Sequence, residues 1–126
     1  MTSSFKQKVI SIVKAIPNGC VASYGQVALY VGFPRGARQV GWILNGLERK
    51  LLVPWWRVVN NKGQITIKGS VYTPLDQKMH LVSEGIKVEK DFSFNIKKHR
   101  WHPTEKEIQK FELDEDYTKM LIKKGV

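Results

Sequence analysis

The sequence predicts a mostly α-helical domain with a small β wing, arranged as a winged helix-turn-helix. Three observations predict this fold. Residues 5–16 and 23–47 carry apolar side chains at helical spacing, a Gly-Phe-Pro break divides the second stretch, and two short β-type runs follow around an Asn-Asn-Lys-Gly turn. A length of 126 residues fits one compact domain. As a pattern alone, a pair of helices joined by a turn is common, so the outline does not by itself decide the function.

The first three helices follow from apolar spacing and from signals at their ends. The inner face of the first helix consists of Phe5, Val9, Ile12, Val13 and Ile16. Ser23, with Gln26 three residues later, forms a capping box that opens a short second helix. The segment 32–34 ends that helix, and a third helix is predicted from about Arg35 to Leu47. Its inner face consists of Ala37, Val40, Leu44 and Leu47.

The wing is predicted from residues 58–67. Two β-type runs, 58–59 and 64–67, flank the turn 60–63, and its glycine favours a hairpin between them. Proline suits the first position of a helix, so Thr73-Pro74 is predicted to open a further helix. Its spacing places Leu75, Met79 and Val82 on the inward face.

The end of the chain carries another capping-box pair, Thr104 and Glu107, ahead of sparse apolar positions. We therefore divide the chain into a main domain, residues 1–103, and a C-terminal extension, residues 104–126, that is helical or loosely docked.

The charge of the chain is unevenly placed. The formal net charge is +10, of which residues 1–90 carry +9 and residues 91–126 carry +1. A basic folded body suits a polyanion, most simply nucleic acid, although a generally lysine-rich proteome would explain the composition equally well.

No apolar run approaches the roughly 20 residues of a membrane span, and the first eight residues lack a signal-type stretch. We expect an intracellular protein (cytoplasm or nucleoid, or nucleus in a eukaryote) that contacts no membrane.

Signals for catalysis are weak. Cys20 is the only cysteine, which excludes an intrachain disulfide and a cysteine-based zinc site. It has no histidine near it in sequence, so a core or surface thiol is a better interpretation than a nucleophile. His80 lies on a helix, as a solvated or satisfied polar residue. His99 and His102 lack the carboxylates or thiols that would complete a metal site. The sequence therefore predicts no metal and no cofactor.

Three stretches in order carry a resemblance to a known family: V-A-S-Y-G-Q-V-A, G-A-R-Q-V-G and P-W-W-R-V-V-N-N-K-G. They resemble the DNA-binding domain of the O6-alkylguanine-DNA alkyltransferases, whose motif P-C-H-R-V-V contains the alkyl-accepting cysteine and the histidine that activates it. Here Trp55 and Trp56 stand at those two positions. The sequence is closer to the alkyltransferase-like proteins, which carry P-W-H-R-V. The resemblance covers residues 5–103 and extends to the tail signature Trp101-x-Pro103.

The resemblance implies a fold and a function. The fold is that of the alkyltransferases' C-terminal domain. The function is to bind double-stranded DNA containing O6-alkylguanine, flip the damaged base and flag it for nucleotide excision repair proteins, without repairing it. Suicide transfer needs a reactive thiolate, and an indole is not a competitive nucleophile at neutral pH. A chain with Trp55 at the acceptor position is therefore predicted not to be an enzyme.

The resemblance also assigns roles residue by residue. Tyr24 crowds a DNA phosphate and helps rotate the nucleotide out, and Arg38 enters the base stack and fills the gap. Trp55 lines the lesion pocket, and Lys68 lies over it; core burial for Trp55 and an ordinary wing lysine for Lys68 are the alternatives. Trp56 replaces a histidine in both branches of the family, which changes the pocket shape and the hydrogen bonding behind it.

Two further residues behind the same motifs have structural predictions. Arg57 is predicted to bridge the turn to the helices. Glu84 matches the acid of the transferases' relay, but with both relay partners replaced by tryptophan it is predicted to be a hydrogen-bonding residue at a helix end.

Two alternatives from other classes remain open at this stage. A sequence-specific winged-helix transcription regulator would use Arg38, Gln39 and Trp42 to read major-groove edges. An enzyme would need Cys20 displaced onto the site. If the protein is instead the lesion binder that the resemblance implies, we expect a monomer whose partners are damaged DNA and nucleotide excision repair proteins.

Overall fold

The structure, a computed structural model, describes residues 4–47, 52–67 and 72–125. Within these ranges no helix has the length and hydropathy to cross a bilayer. The helices are α1 (Phe5–Ala15), α2 (Tyr24–Tyr30), α3 (Ala37–Asn45), α4 (Pro74–Ser83), α5 (Ile96–His99), α6 (Glu105–Gln109) and α7 (Glu115–Lys124). A 3₁₀ turn (Trp55–Arg57) precedes strand β2 (Val58–Val59), which pairs with β1 (Ala22–Ser23). The prediction of a mostly helical domain with a small sheet is confirmed.

Helices α1, α2 and α3 enclose the main core as the spacing predicts. Val9, Ile12, Val13 and Ile16 of the α1 segment are buried, and α3 contributes Val40 and Leu44. The capping box of α2 is confirmed, with Ser23 Oγ accepting from Gln26 N at 3.0 Å and Gln26 Oε1 accepting from Ser23 N at 3.1 Å. Such a box satisfies two of the amide donors that a helix start leaves free, which fixes where α2 begins.

The predicted hairpin is wrong in its pairing. Strand β2 pairs in parallel with β1, Ala22 opposite Val58 and Ser23 opposite Val59. The turn itself forms: Asn60 Oδ1 accepts from the amides of Lys62 and Gln64, and Gly63 has a φ of +74°. The chain after the turn then hydrogen-bonds to residues 92–94 instead of 58–59. Both residues of β2 are buried, and Val59 shares a second buried cluster with Ile65 and Phe94, so the wing run packs against β2 through side chains without pairing with it.

The predicted inward face of α4 is also wrong. Thr73 caps this helix and Pro74 opens it as predicted. However, Leu75, Met79 and Val82 are 57%, 63% and 50% exposed, and the buried residues of α4 are Gln77 and Leu81. Gln77 Nε2 donates to the carbonyls of Trp56 at 3.1 Å and Val58 at 3.0 Å. Because buried carbonyls need donors, a polar residue is the better choice on this inward face.

The C-terminal segment is helical and packs on the same core. Ile108 of α6 and Leu121 of α7 belong to the main buried cluster. Phe111 contacts Tyr30, with ring centroids 5.4 Å apart, and the hydroxyl of Tyr117 donates to the carbonyl of Leu29. These contacts attach the segment to α2. The division of the chain at residue 103 stays a prediction.

Candidate nucleic-acid interface

The two adjacent tryptophans form the 3₁₀ turn that leads into β2. Pro54 and the carbonyl of Val53 shape this turn, since Trp55 N donates to Val53 O at 2.8 Å and Arg57 N to Pro54 O at 3.1 Å. Trp55 is only 6% exposed, whereas Trp56 is half-buried. The two indoles meet edge to face, with centroids 6.0 Å apart and an interplanar angle of 86°. The turn thus places two large rings at right angles beside one opening.

That opening is an aromatic cleft of about 350 Å³. Trp55 stacks on Tyr72 with centroids 4.3 Å apart, and Trp56 stacks on His80 at 4.0 Å with an interplanar angle of 11°. The described residues that line the cleft are Leu47, Leu52, Val53, Trp55, Trp56, Tyr72, Asp76 and His80. A concavity of this volume has room for a flat group of nucleobase size. Its aromatic lining suits such a group, because nucleobases stack on the faces of aromatic rings.

Behind the cleft, Glu84 accepts hydrogen bonds from three residues in two parts of the chain. Its Oε2 accepts from Trp56 Nε1 at 2.7 Å and from Arg57 Nη2 at 2.9 Å, and its Oε1 accepts from Gly19 N at 3.1 Å. Arg57 Nη1 donates in turn to the carbonyl of Ile16 at 2.8 Å. The prediction that Arg57 joins the turn to the helices is confirmed. So is the prediction for Glu84, which is the C-cap of α4.

These contacts determine the charge state of Glu84. Burial raises the pKa of its carboxyl group, but the hydrogen bonds from Arg57, Trp56 and Gly19 outweigh burial, so the pKa lies below its ordinary value of 4.5. Glu84 is therefore ionised at neutral pH and holds the back of the cleft in place. Trp56 supplies the indole N–H donor, and this carboxylate is its acceptor.

The helix-turn-helix presents the other predicted residues. Tyr24 is the first residue of α2, and its half-buried ring packs beside Gly41 of α3, where an added Cβ would lie 3.8 Å from Tyr24 Cε1. Burial raises the pKa of Tyr24, so its hydroxyl stays a neutral donor at physiological pH. Arg38 and Trp42, one turn apart on α3, are both exposed. Gln39 is half-buried, and its Oε1 is buried with no hydrogen-bond partner among the described residues.

The structure brings some predicted residues together and leaves others apart. Trp55 and Trp56 share the cleft, and Leu47, just after α3, connects the cleft to that helix. Arg38 and Trp42 are not among the described residues that line it. Lys68 lies outside the described residues.

Residues 4–86 match the sequence model of the 6-O-methylguanine DNA methyltransferase DNA-binding domain. The chain belongs to this family. The matched range contains α1 to α4 and every residue of the cleft, so membership applies to the site itself.

Similar members of the family include alkyltransferase-like proteins. The DNA base-flipping protein of Escherichia coli is 41% identical over 99 residues, covering 79% of this chain and 75% of that protein. Alkyltransferase-like protein 1 of Schizosaccharomyces pombe is 36% identical over 103 residues, covering 79% and 95%. The structure of the latter protein bound to damaged DNA containing O6-carboxymethylguanine superposes with a TM-score of 0.75 at 35% identity, over 82% of this chain and 100% of that chain. The predicted fold class and family resemblance are confirmed.

The sequence does not indicate that the rings of Tyr72 and His80 belong to the cleft. Tyr72 stacks on Trp55, which lies 17 positions earlier, so no local spacing indicates the contact. His80 was interpreted as a solvated or satisfied residue; it is exposed, yet its ring lies flat on Trp56.

Chemistry requiring a thiol or metal finds little support around this cleft. Cys20 is half-buried in the turn after α1 and is not among the described residues lining the cleft. Within the described ranges, no three His, Cys, Asp or Glu residues cluster closely enough to hold a metal ion. What the described residues offer at the cleft is stacking surface and a few polar groups.

Proposed function

We propose that this protein binds double-stranded DNA containing O6-alkylguanine, takes the damaged base into the aromatic cleft and leaves the alkyl group in place. The observation that carries the proposal is the cleft of about 350 Å³ formed around Trp55, Trp56, Tyr72 and His80. The names of two family relatives, a base-flipping protein and an alkyltransferase-like protein, support it, as does the relative's complex with damaged DNA.

Rotating a base out of the duplex loses stacking and pairing worth a few kcal/mol. Contacts with the protein must compensate for this loss. Arg38 is exposed on α3, and its planar guanidinium can stack in the gap and hydrogen-bond to the orphaned base. Tyr24, with its neutral hydroxyl at the start of α2, crowds the phosphate of the rotating nucleotide. Trp42 is 64% exposed and lies on the same side of α3 as Arg38, where it contacts the groove wall. Lys68 covers the bound base.

Recognition without transfer follows from the side chain at the acceptor position. Trp55 occupies the place of the accepting cysteine, and its indole carries no thiolate to attack an alkyl group. Its ring is 6% exposed and lines the cleft, which supports the role of Trp55 in the lesion pocket over plain core burial. The lesion therefore stays intact while the protein is bound.

A lesion held but not repaired needs a downstream reaction. We propose that the bound protein, acting as an intracellular monomer, marks the site for nucleotide excision repair proteins. The test is incision of a lesion duplex by a reconstituted excision nuclease with and without this protein. If the incision rate is the same with and without the protein, this part of the proposal is wrong.

The main test is a competition titration between an O6-methylguanine duplex and undamaged duplexes of matched and of varied sequence, followed by intact-mass measurement. A lesion binder prefers the modified duplex in any sequence, and its mass is unchanged. Preference for one undamaged sequence would instead support the regulator that reads bases through Arg38, Gln39 and Trp42. A gain of one methyl group on the protein would show an enzyme.

A further inference from the structure

A second concavity lies on the side of α2 where Tyr24 starts the helix. It has a volume of about 640 Å³. Residues that line it come from four separate parts of the chain: α2, Ala37 of α3, the turn at Asn60 and Asn61, and the C-terminal region with Arg100, His102 and Gly125. Its described lining contains no carboxylate. We call it the α2–α7 groove.

Arg100 is held rigidly in this groove. Its Nη1 donates to Gln26 Oε1 at 2.6 Å and its Nη2 to Asn61 Oδ1 at 2.7 Å. Both acceptors are neutral amide oxygens, so the positive charge of Arg100 is oriented without being neutralised. A guanidinium has five N–H donors, of which two are used here, and its planar geometry suits phosphate oxygens. A fixed, half-exposed cation in a concavity without acidic groups attracts an anion.

Helix α7 brings further positive charge to the same place. Leu121 is fully buried, and Tyr117 donates to the carbonyl of Leu29 on α2, so the helix is firmly attached. Lys123 and Lys124 form its last turn, are exposed, and directly precede Gly125, which lines the groove. Two full charges outweigh the partial negative charge at a helix C-terminus, which is about half a unit.

We propose that the α2–α7 groove binds the sugar-phosphate backbone of the duplex beside the flipped nucleotide, with Arg100 as its fixed cation and Lys123 and Lys124 at its border. The inference rests on the proposed function, because the role proposed for Tyr24 puts the duplex next to the groove. It departs from the sequence-based division, which left residues 104–126 outside the DNA-binding domain. The segment thus lengthens the contact with DNA and contributes no base recognition.

The experiment titrates lesion and undamaged duplexes with the full chain at several salt concentrations. The variants are Arg100→Gln, the double variant Lys123→Gln/Lys124→Gln, and Lys87→Gln as a charge-matched control beyond the groove. Each phosphate contact contributes about 0.9 to the slope of log affinity against log salt. We expect the slope to become shallower by about 1 for Arg100→Gln and about 2 for the double variant, with equal losses on both duplexes. The control should be unchanged.

The outcomes separate this inference from the proposed function. If the wild type binds and prefers the lesion but the double variant keeps its slope and affinity, the groove proposal is wrong and the proposed function stands. Because both lysines are exposed, lost packing does not complicate that result. Loss of lesion preference in the double variant, rather than a uniform loss, would also overturn the groove proposal. A wild type that binds neither duplex overturns both.

Discussion

Trp56 donates its indole N–H to Glu84 Oε2 over 2.7 Å, and the same carboxylate binds the guanidinium of Arg57. This carboxylate thus connects a wall of the aromatic cleft to the end of α4, while Arg57 continues the connection to the end of α1. The cleft is therefore supported by charge-assisted hydrogen bonds from behind, which keeps its rings in position before any ligand enters.

The first prediction concerns the stability that Glu84 provides. Its side chain is 7% exposed and that of Arg57 is 14% exposed, so Glu84→Gln leaves a largely buried guanidinium without its counter-charge. We expect a loss of about 3 kcal/mol in the free energy of unfolding, measured by urea denaturation. The matched control is Glu89→Gln, which removes an exposed carboxylate 3.7 Å from Lys87 and should change little. Equal small effects of the two substitutions would refute the supporting role of Glu84.

The second prediction is the pH dependence of that difference. The pKa of Glu84 is lowered in the folded protein, so its contribution to stability is present above the ordinary value of 4.5 and is lost as the pH falls through the folded value. The stability gap between the wild type and Glu84→Gln should therefore shrink on acidification below about pH 4.5. Asp91, whose pKa is lowered by hydrogen bonds from Ser93, is present in both proteins. Its titration therefore changes both stabilities equally and does not affect the gap. A gap independent of pH between 6 and 3 would contradict this account.

These predictions depend on contacts that the sequence pattern did not contain. Helices α1 to α3 were predictable because their apolar spacing and, for α2, the Ser23–Gln26 cap act between residues close in sequence. The partner of β2 was not predictable from a local turn, since β1 lies far earlier in the chain. The apolar spacing on α4 indicates one apolar face but not whether that face is buried. Gln77 lies on the buried face because its side chain donates to two carbonyls of another segment.

The residues of the candidate site also divide into those that the sequence indicates and those that it does not. Trp55 and Trp56 were found because a motif names their positions. Tyr72 and His80 were not found, because their roles arise only when the 3₁₀ turn brings both tryptophans against α4 and the residue before its cap. Stacking between residues distant in sequence leaves no spacing pattern that could indicate it.

The third prediction tests the wall formed by His80. His80→Ala removes the ring stacked on Trp56, and since an aromatic pair contributes about 0.5–1.5 kcal/mol, preference for a lesion duplex should fall by a similar amount. Affinity for undamaged DNA should be unchanged, because the cleft is occupied only after flipping. Met79→Ala is the control, an exposed neighbour on α4 that is not among the described residues lining the cleft. The two are compared by competition binding, and indistinguishable lesion preference would exclude His80 from the site.

The fourth prediction concerns Arg38. Arg38→Ala should weaken lesion binding by roughly 1–3 kcal/mol, the range for a well-placed polar contact. Arg38→Lys should stay impaired, because an ammonium group keeps the charge but does not stack. Mispairing the lesion lowers the cost of flipping, so the loss for Arg38→Ala should be smaller on a mismatched duplex. Equal losses on both duplexes would instead indicate a simple phosphate contact.

The central claim, that the protein rotates the damaged base out of the helix without altering it, is tested most directly by the fluorescence of 2-aminopurine placed next to O6-methylguanine. Stacking quenches this probe, so we predict that saturating protein raises its fluorescence on the lesion duplex. The increase should reverse when the protein is displaced by competitor DNA, and the recovered lesion should be intact. Saturated binding with no rise in fluorescence, or a rise that ends with unmodified guanine in the DNA, would contradict the account.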